Sequence, residues 1–378
     1  MKNLDLLEIR KQLDEVDAQM VRLFEERMAL SMDVAKSKLA SGKAVYDGQR
    51  EKEKLAALEK MTEGDFNRQA VRELFTQLMT IGRKRQYQYL AEHGKALDLG
   101  FCPVDSLKKE GVRVVYQGVE GAYSHGAAIQ FFGADTPMYH VPSWEDAMVE
   151  VEQGRADYAV LPIENSSAGA VSNNYDLLMK HSNYIVAETQ LRVTHALLGL
   201  PQARLDDIKT VYSHPQALMQ CSEYLNSHKE WSQISVENTA VAARKITADG
   251  KADQAAVASE IAGSLYGLKV LAPAINYNKN NVTRFIIISP KAVYCRDAGK
   301  VSLCFEAPHI SGSLYNMLGN FIYNQVNMLR IESRPIEGRS WEYRFFVDIE
   351  GSLEEAAVQN ALKGIAEEAA SLRILGTY

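Results

Sequence analysis

The sequence predicts a multidomain protein: an all-helical segment, then an α/β segment, then an α+β segment of ferredoxin-like order. Three observations predict it. The apolar period changes twice along the chain, short β-rich runs begin only after residue 112, and 378 residues exceed one typical core. Apolar residues make up 46% and charged residues 24%, as in ordinary globular chains. The net charge of -6, with no long basic run, argues against nucleic acid as a partner. The chain has neither an apolar run of ~18 residues nor a signal-peptide core, so we expect a cytoplasmic protein and no membrane partner. The cysteines, Cys102, Cys221, Cys295 and Cys304, are far apart and suit free thiols better than a disulfide framework or a zinc site. No metal and no other cofactor is expected.

Residues 4–92 carry no strand pattern and no proline. Ile9, Leu13, Val16, Met20, Leu23, Leu30 and Val34 follow the 4-3 alternation of a long amphipathic helix. Breaks at 41–43 and near Gly64 give three helices, roughly 5–40, 47–61 and 66–92, in a domain of residues 1–92. The first would be ~54 Å long at 1.5 Å per residue, more than so small a domain can cover. A second copy of the chain is expected to supply the missing surface in a homodimer or larger homo-oligomer.

Arg27 interrupts the apolar stripe, and a buried arginine needs an anionic partner. Lys38, eleven residues on, returns to within ~20° of the same face at ~16 Å rise, so the two cations could bracket a small dianion. The same spacing is met by a snorkelling Arg27 and a solvated Lys38 at the helix end. Asp47 can cap the second helix, with Arg50 and Glu51 in its first turn. The third ends in the basic run GRKRQYQYL, where cations are favoured in any case.

The pattern of Arg10, Arg27, Lys38, Asp47, Arg50, Glu51 and Gln86 resembles the all-helical chorismate mutase family. The resemblance implies rearrangement of chorismate to prephenate with no covalent intermediate and no cofactor. It assigns Arg10 of the other subunit, Arg27 and Arg50 to the substrate carboxylates and hydroxyl region. Lys38 and Gln86 would donate to the ether oxygen, Glu51 would hold a substrate hydroxyl, and Asp47 would orient its neighbours. The chain departs from many relatives at Gly82, where they have a serine.

Residues 93–111 mix Gly, Pro and charge and read as a linker; from 112 to 291 strands and helices alternate, as in an α/β domain. Its turns are polar. Gly118, Gly121 and Ser124 follow the first strand; Glu164, Asn165, Ser166 and Gly169 follow another; Ser213 and His214 precede Pro215 at a helix start. Each alone reads equally as a capped turn, and His214 as a capping or core histidine. The stretch NNVTRFIIISP is stranger, because Asn280, Asn281, Thr283 and Arg284 open an apolar strand. Taken together these motifs resemble prephenate dehydratase, which implies two α/β lobes around a cleft, like type II periplasmic binding proteins. The resemblance implies that Ser124, Asn165, Ser166, Ser213 and Asn281 bind prephenate. Thr283 would help deliver a proton to the departing hydroxyl, and Arg284 would set the local charge. The chain has no GxGxxG fingerprint for a dinucleotide.

From 299 to 378 the expected order is βαββαβ. With Gly312, Ser313 and Leu314, and with Glu332, Ser333 and Arg334, this segment resembles an ACT domain of the kind that binds phenylalanine at dimer interfaces. Ser313 stands where relatives usually have alanine. The whole order resembles the bifunctional chorismate mutase/prephenate dehydratase family of phenylalanine biosynthesis, with phenylalanine as a feedback effector. One rival reading is a non-catalytic aromatic-acid or amino-acid sensor with a helical dimerisation arm. A second, a mutase fused to prephenate dehydrogenase, lacks its glycine fingerprint.

Overall fold

The computed structural model describes residues 5–93 and 99–378. Three helices open the chain: α1 (Leu6–Ser41), α2 (Gly48–Glu59) and α3 (Asp65–Glu92). Asp5 caps α1 by accepting from the Leu7 amide, and Gly42 ends it in the left-handed conformation at φ 67°. Asp47 caps α2, accepting from the Arg50 amide at 3.0 Å. Of α1, only Ala35 is buried; Leu13, Val16, Met20, Leu23, Leu30 and Val34 are exposed within a single chain.

The next segment begins with β1 (Cys102–Val104), β2 (Val114–Gln117), α4 (Tyr123–Phe132), β3 (Met138–Val141) and α5 (Trp144–Glu152). It continues through β4 (Tyr158–Asn165), β5 (Gly169–Ala170), α6 (Ser172–Lys180) and β6 (Tyr184–Arg192). A second group of elements follows: β7 (Ala196–Gly199), β8 (Thr210–Ser213), α7 (Pro215–Gln220), α8 (Ser222–Asn226), β9 (Ser232–Ser235), α9 (Thr239–Asp249), β10 (Gln254–Ala258), α10 (Glu260–Leu265) and β11 (Lys269–Ala272). The chain then returns through β12 (Val282–Ser289) and β13 (Val293–Cys295).

These strands make two lobes. In the first, β12 lies between β6 and β4, and β4 leads on to β2 and β3. In the second the order is β11-β7-β10-β8-β9. The two crossovers between the lobes are tied together: Val193 N donates to Asn281 O at 2.8 Å and Ile275 N to His195 O at 2.8 Å. Phe285, Ile286, Ile287 and Ile288 of β12 are at most 1% exposed, because the strand has neighbours on both edges. Each such side chain stabilises the lobe by roughly 1.5–3 kcal/mol, so β12 is a rigid base for the polar residues at its mouth. Within the expected linker of 93–111, residues 94–98 lie outside the described residues. Cys102–Val104, however, is a strand paired in parallel with β13, since its backbone finds partners at that edge.

The chain ends with β14 (Lys300–Glu306), α11 (Ser313–Tyr323), β15 (Met328–Ile336), β16 (Arg339–Glu350), α12 (Ala356–Glu368) and β17 (Ser371–Thr377). Their strands run in the order β15-β16-β14-β17, the ferredoxin-like arrangement. The described chain forms two compact units. One contains the N-terminal helices with residues 304–331 and 335–373; the other contains 100–303, 332–334 and 374–378.

Candidate active sites

In the first unit, α1, α2 and α3 bring two of the expected cations, Arg27 and Lys38, together with Glu51 and Gln86. Arg27 is half-buried and donates from Nη1 to the Leu78 carbonyl of α3 at 2.7 Å. Burial draws its guanidinium below the ordinary value, and the nearby Glu51 carboxylate opposes that. Lys38 donates from Nζ to Val45 O at 2.5 Å. Burial lowers it too, against the pull of Asp47, Glu367 and Glu51. Lys38 is half-buried at the end of α1 and is not the fully solvated charge that spacing alone would allow.

Gln86 is buried and donates from Nε2 to Ser31 Oγ at 3.1 Å, and Ser31 Oγ donates to Gly82 O at 3.3 Å. Gln86 Oε1 is buried without a hydrogen-bond partner among the described residues. A side chain at 82 would begin 2.9 Å from Ser31 Oγ and 3.6 Å from Arg27 Nη1. Ser31 therefore fills the space that a serine at 82 would take, and it puts a hydroxyl on the same glutamine. The sequence carried a faint signal for it: Ser31 stands four residues after Arg27, on one face of α1.

Glu51 accepts from Arg83 Nη1 at 2.5 Å on both oxygens. Arg83, which sequence reading left as a helix-end cation, is buried. Asp47 serves as the cap of α2. Arg10 and Arg50 are exposed, and among the described residues Arg50 meets this cluster only through its backbone amide on Asp47.

In the second unit the cluster sits where β12 begins beside the end of β4, with Thr283 opposite Asn165. Asn165 Nδ2 donates to Asn281 Oδ1 at 2.8 Å and to Thr283 Oγ1 at 2.9 Å. Its own Oδ1 accepts from the amides of Ser167 and Ala168, at 3.0 and 2.9 Å, which fixes the orientation of the amide. Ser166 Oγ accepts from Val282 N at 2.9 Å and closes the turn.

Thr283 thus accepts from Asn165 and keeps its O–H to donate; it is 8% exposed. Asn281 is 1% exposed, and its Nδ2 has no partner among the described residues. A buried donor left so costs about 1–3 kcal/mol unless a ligand or water meets it.

Arg284 leaves β12 on the other face, because successive strand residues alternate. Its guanidinium lies 3.4 Å from Glu164 and 3.1 Å from Glu188, and Lys300 Nζ also donates to Glu188, at 2.6 Å. It is held within a carboxylate network on the face away from Thr283. Ser213 of the second lobe is wholly buried and donates to Val257 O at 2.6 Å, with no hydrogen bond to the Asn165 cluster. His214 is a cap, its Nδ1 accepting from Gln216 N at 3.2 Å ahead of Pro215. Ser124 lies buried in the first turn of α4.

Gly312 begins α11 at φ 80°, and Ser313 and Leu314 follow in its first turn. Ser313 and Leu314 line a cavity of about 350 Å³ with Pro308, Ile310, Tyr343 and Phe345. Glu332, Ser333 and Arg334 lie on β15, where Arg334 donates to Asp176 Oδ2 at 2.5 Å. Among the described residues no group of three or more His, Cys, Asp or Glu is placed to hold a metal ion, and no helix is long and apolar enough to cross a membrane.

In comparison with known proteins, two family models match the chain. Residues 114–293 match prephenate dehydratase and residues 9–87 match chorismate mutase type II. The chain is 34% identical over 381 residues to a bifunctional chorismate mutase/prephenate dehydratase of Escherichia coli, covering 99% of this chain and 96% of the relative. It is 32% identical to the protein of that description from Aquifex aeolicus, covering 99% and 98%. Among solved structures, the prephenate dehydratase of Arthrobacter aurescens in complex with L-Phe matches with a TM-score of 0.66 at 31% identity, over 71% of this chain and 89% of that one.

Proposed function

The chain belongs to the bifunctional chorismate mutase/prephenate dehydratase family, and from that premise we propose that it converts chorismate to prephenate at its helical site and prephenate to phenylpyruvate at the β4–β12 site. What carries the reading is that each site presents buried polar groups, some still unpaired, on otherwise apolar elements.

In the mutase step the ether C–O bond breaks as a new C–C bond forms, and negative charge grows on the ether oxygen. Arg27 and Arg50 draw in the substrate carboxylates, and Arg10 serves the site of a second copy of the chain. Lys38 and the Gln86 amide donate to the ether oxygen. Because these donors are already fixed in place, they stabilise the charge without reorganising, and the helices hold the reactive conformer. Glu51 accepts from the substrate hydroxyl.

In the dehydratase step the ring carboxylate leaves as carbon dioxide, and its bonding electrons enter the ring. The ring hydroxyl departs as water once it has gained a proton. Thr283 donates to that hydroxyl, held by Asn165. A threonine is a weak acid, so its work is positioning within a donor network, and aromatisation supplies the driving force. Asn281 Nδ2 and the Ser166 turn meet the substrate's polar groups, with Ser124 beside them on α4; Ser213, wholly buried with its hydroxyl on Val257 O, supports the second lobe from within. The phenylalanine effector takes the cavity at the start of α11, beside Ser313 and Leu314.

Purified protein given chorismate alone should consume it and release phenylpyruvate. Binding of aromatic acids without any turnover would instead establish the sensor reading.

A further inference from the structure

Arg83 joins the mutase helices to the C-terminal segment, and the assigned chemistry does not account for it. It is 7% exposed, on α3, next to Gly82 and one turn before Gln86. Its Nη1 donates to both oxygens of Glu51 on α2. Its Nη2 donates to Thr80 Oγ1 at 3.1 Å and to Glu368 Oε1, at the end of α12, at 2.6 Å. The Tyr46 ring lies 5.1 Å below the guanidinium. The planar fork therefore spends its donors on two carboxylates from different parts of the chain, a geometry that lysine cannot copy.

Burying three charges costs several kcal/mol per ion before pairing, so apolar side chains would hold α12 against α3 at lower cost. A directional ionic contact is instead what is needed to aim one carboxylate. That carboxylate is Glu51, which also sits within electrostatic reach of Arg27 and Lys38. Beside it, Glu367 reaches Lys38 electrostatically, so α12 faces the mutase cations with two acidic groups.

We propose that Arg83 is a positioning residue for the mutase step: it aims Glu51 at the substrate hydroxyl, and Glu368 of α12 locks Arg83 in that pose. The C-terminal segment then completes the mutase site, and a shift of α12 changes mutase turnover without touching the substrate. The proposal rests on the reading of Glu51 as the hydroxyl holder.

The test uses full-length variants, with mutase and dehydratase turnover measured on the same preparations. Arg83→Lys and Glu368→Ala should each lower mutase kcat by about 10-fold to 100-fold, the range for misplacing a catalytic contact. KM should move little, and dehydratase turnover on prephenate should hold. Glu368→Gln keeps an acceptor for Arg83 and should recover most of the loss. The Arg83→Lys/Glu368→Ala double variant should be no worse than the poorer single variant, because both act through one contact. Full mutase kcat in Arg83→Lys and Glu368→Ala, or strictly additive losses, would overturn the proposal. Glu51→Gln separates the two levels. If it leaves mutase turnover unchanged, the underlying site reading fails; if it lowers kcat while Arg83→Lys and Glu368→Ala do not, only the positioning role fails.

Discussion

Ser31 shows how one hydroxyl can move between helices without leaving its place. Gly82 leaves room, Ser31 enters it from α1, and Gln86 is held by the result. Ser31→Ala should lower mutase kcat/KM by roughly tenfold, the value of one lost hydrogen bond in a site. Gly82→Ser alone forces a contact of 2.9 Å on Ser31 and should also impair the enzyme, whereas the double variant should recover most activity. Mutase kinetics on the three proteins decide it; a double variant no better than the singles would remove Ser31 from the site.

Residues of this kind differ in how far the sequence betrays them. Arg27 and Thr283 stand out in the sequence because each interrupts an apolar run. Ser31 does not, since a small polar residue fits an amphipathic helix without strain. Arg83 was hidden for another reason: its partners lie 32 and 285 residues away.

At the scale of elements, period carried most of the information. The helices of 5–40, 47–61 and 66–92 form as Leu6–Ser41, Gly48–Glu59 and Asp65–Glu92, because Asp5, Gly42 and Asp47 supply local start and stop signals. The strand at Cys102–Val104 was missed: three residues with a proline give no period, and its existence depends on β13, almost two hundred positions along. The α1 seam makes its own prediction. Val16 and Met20 are about half exposed in one chain, and a partner's α1 should cover them. Val16→Glu/Met20→Glu should place charges in that contact and leave a monomer at micromolar concentration, with mutase activity lost and dehydratase activity kept. Sedimentation with paired assays checks this; an unchanged mass would remove the intertwined dimer from the account.

For the whole molecule, the chain organises two chemistries on unlike scaffolds. The helical cluster collects charge from helices that pack side by side, whereas the β4–β12 cluster gathers amides and a hydroxyl at the mouth of one deeply buried strand. Family resemblance read from spaced motifs agrees with the two family models that the chain matches, because those motifs sit on element ends whose geometry is local. It did not anticipate that residues 304–331 and 335–373 join the N-terminal helices in one compact unit, since packing between distant segments leaves no periodic trace. The most direct test of separate sites is Thr283→Ala fed with chorismate. Phenylpyruvate formation should fall by about 100-fold, the scale of a lost positioning contact, while chorismate is consumed at the normal rate and prephenate accumulates in its place. Equal loss of both activities in a folded protein, or undiminished phenylpyruvate, would contradict the account.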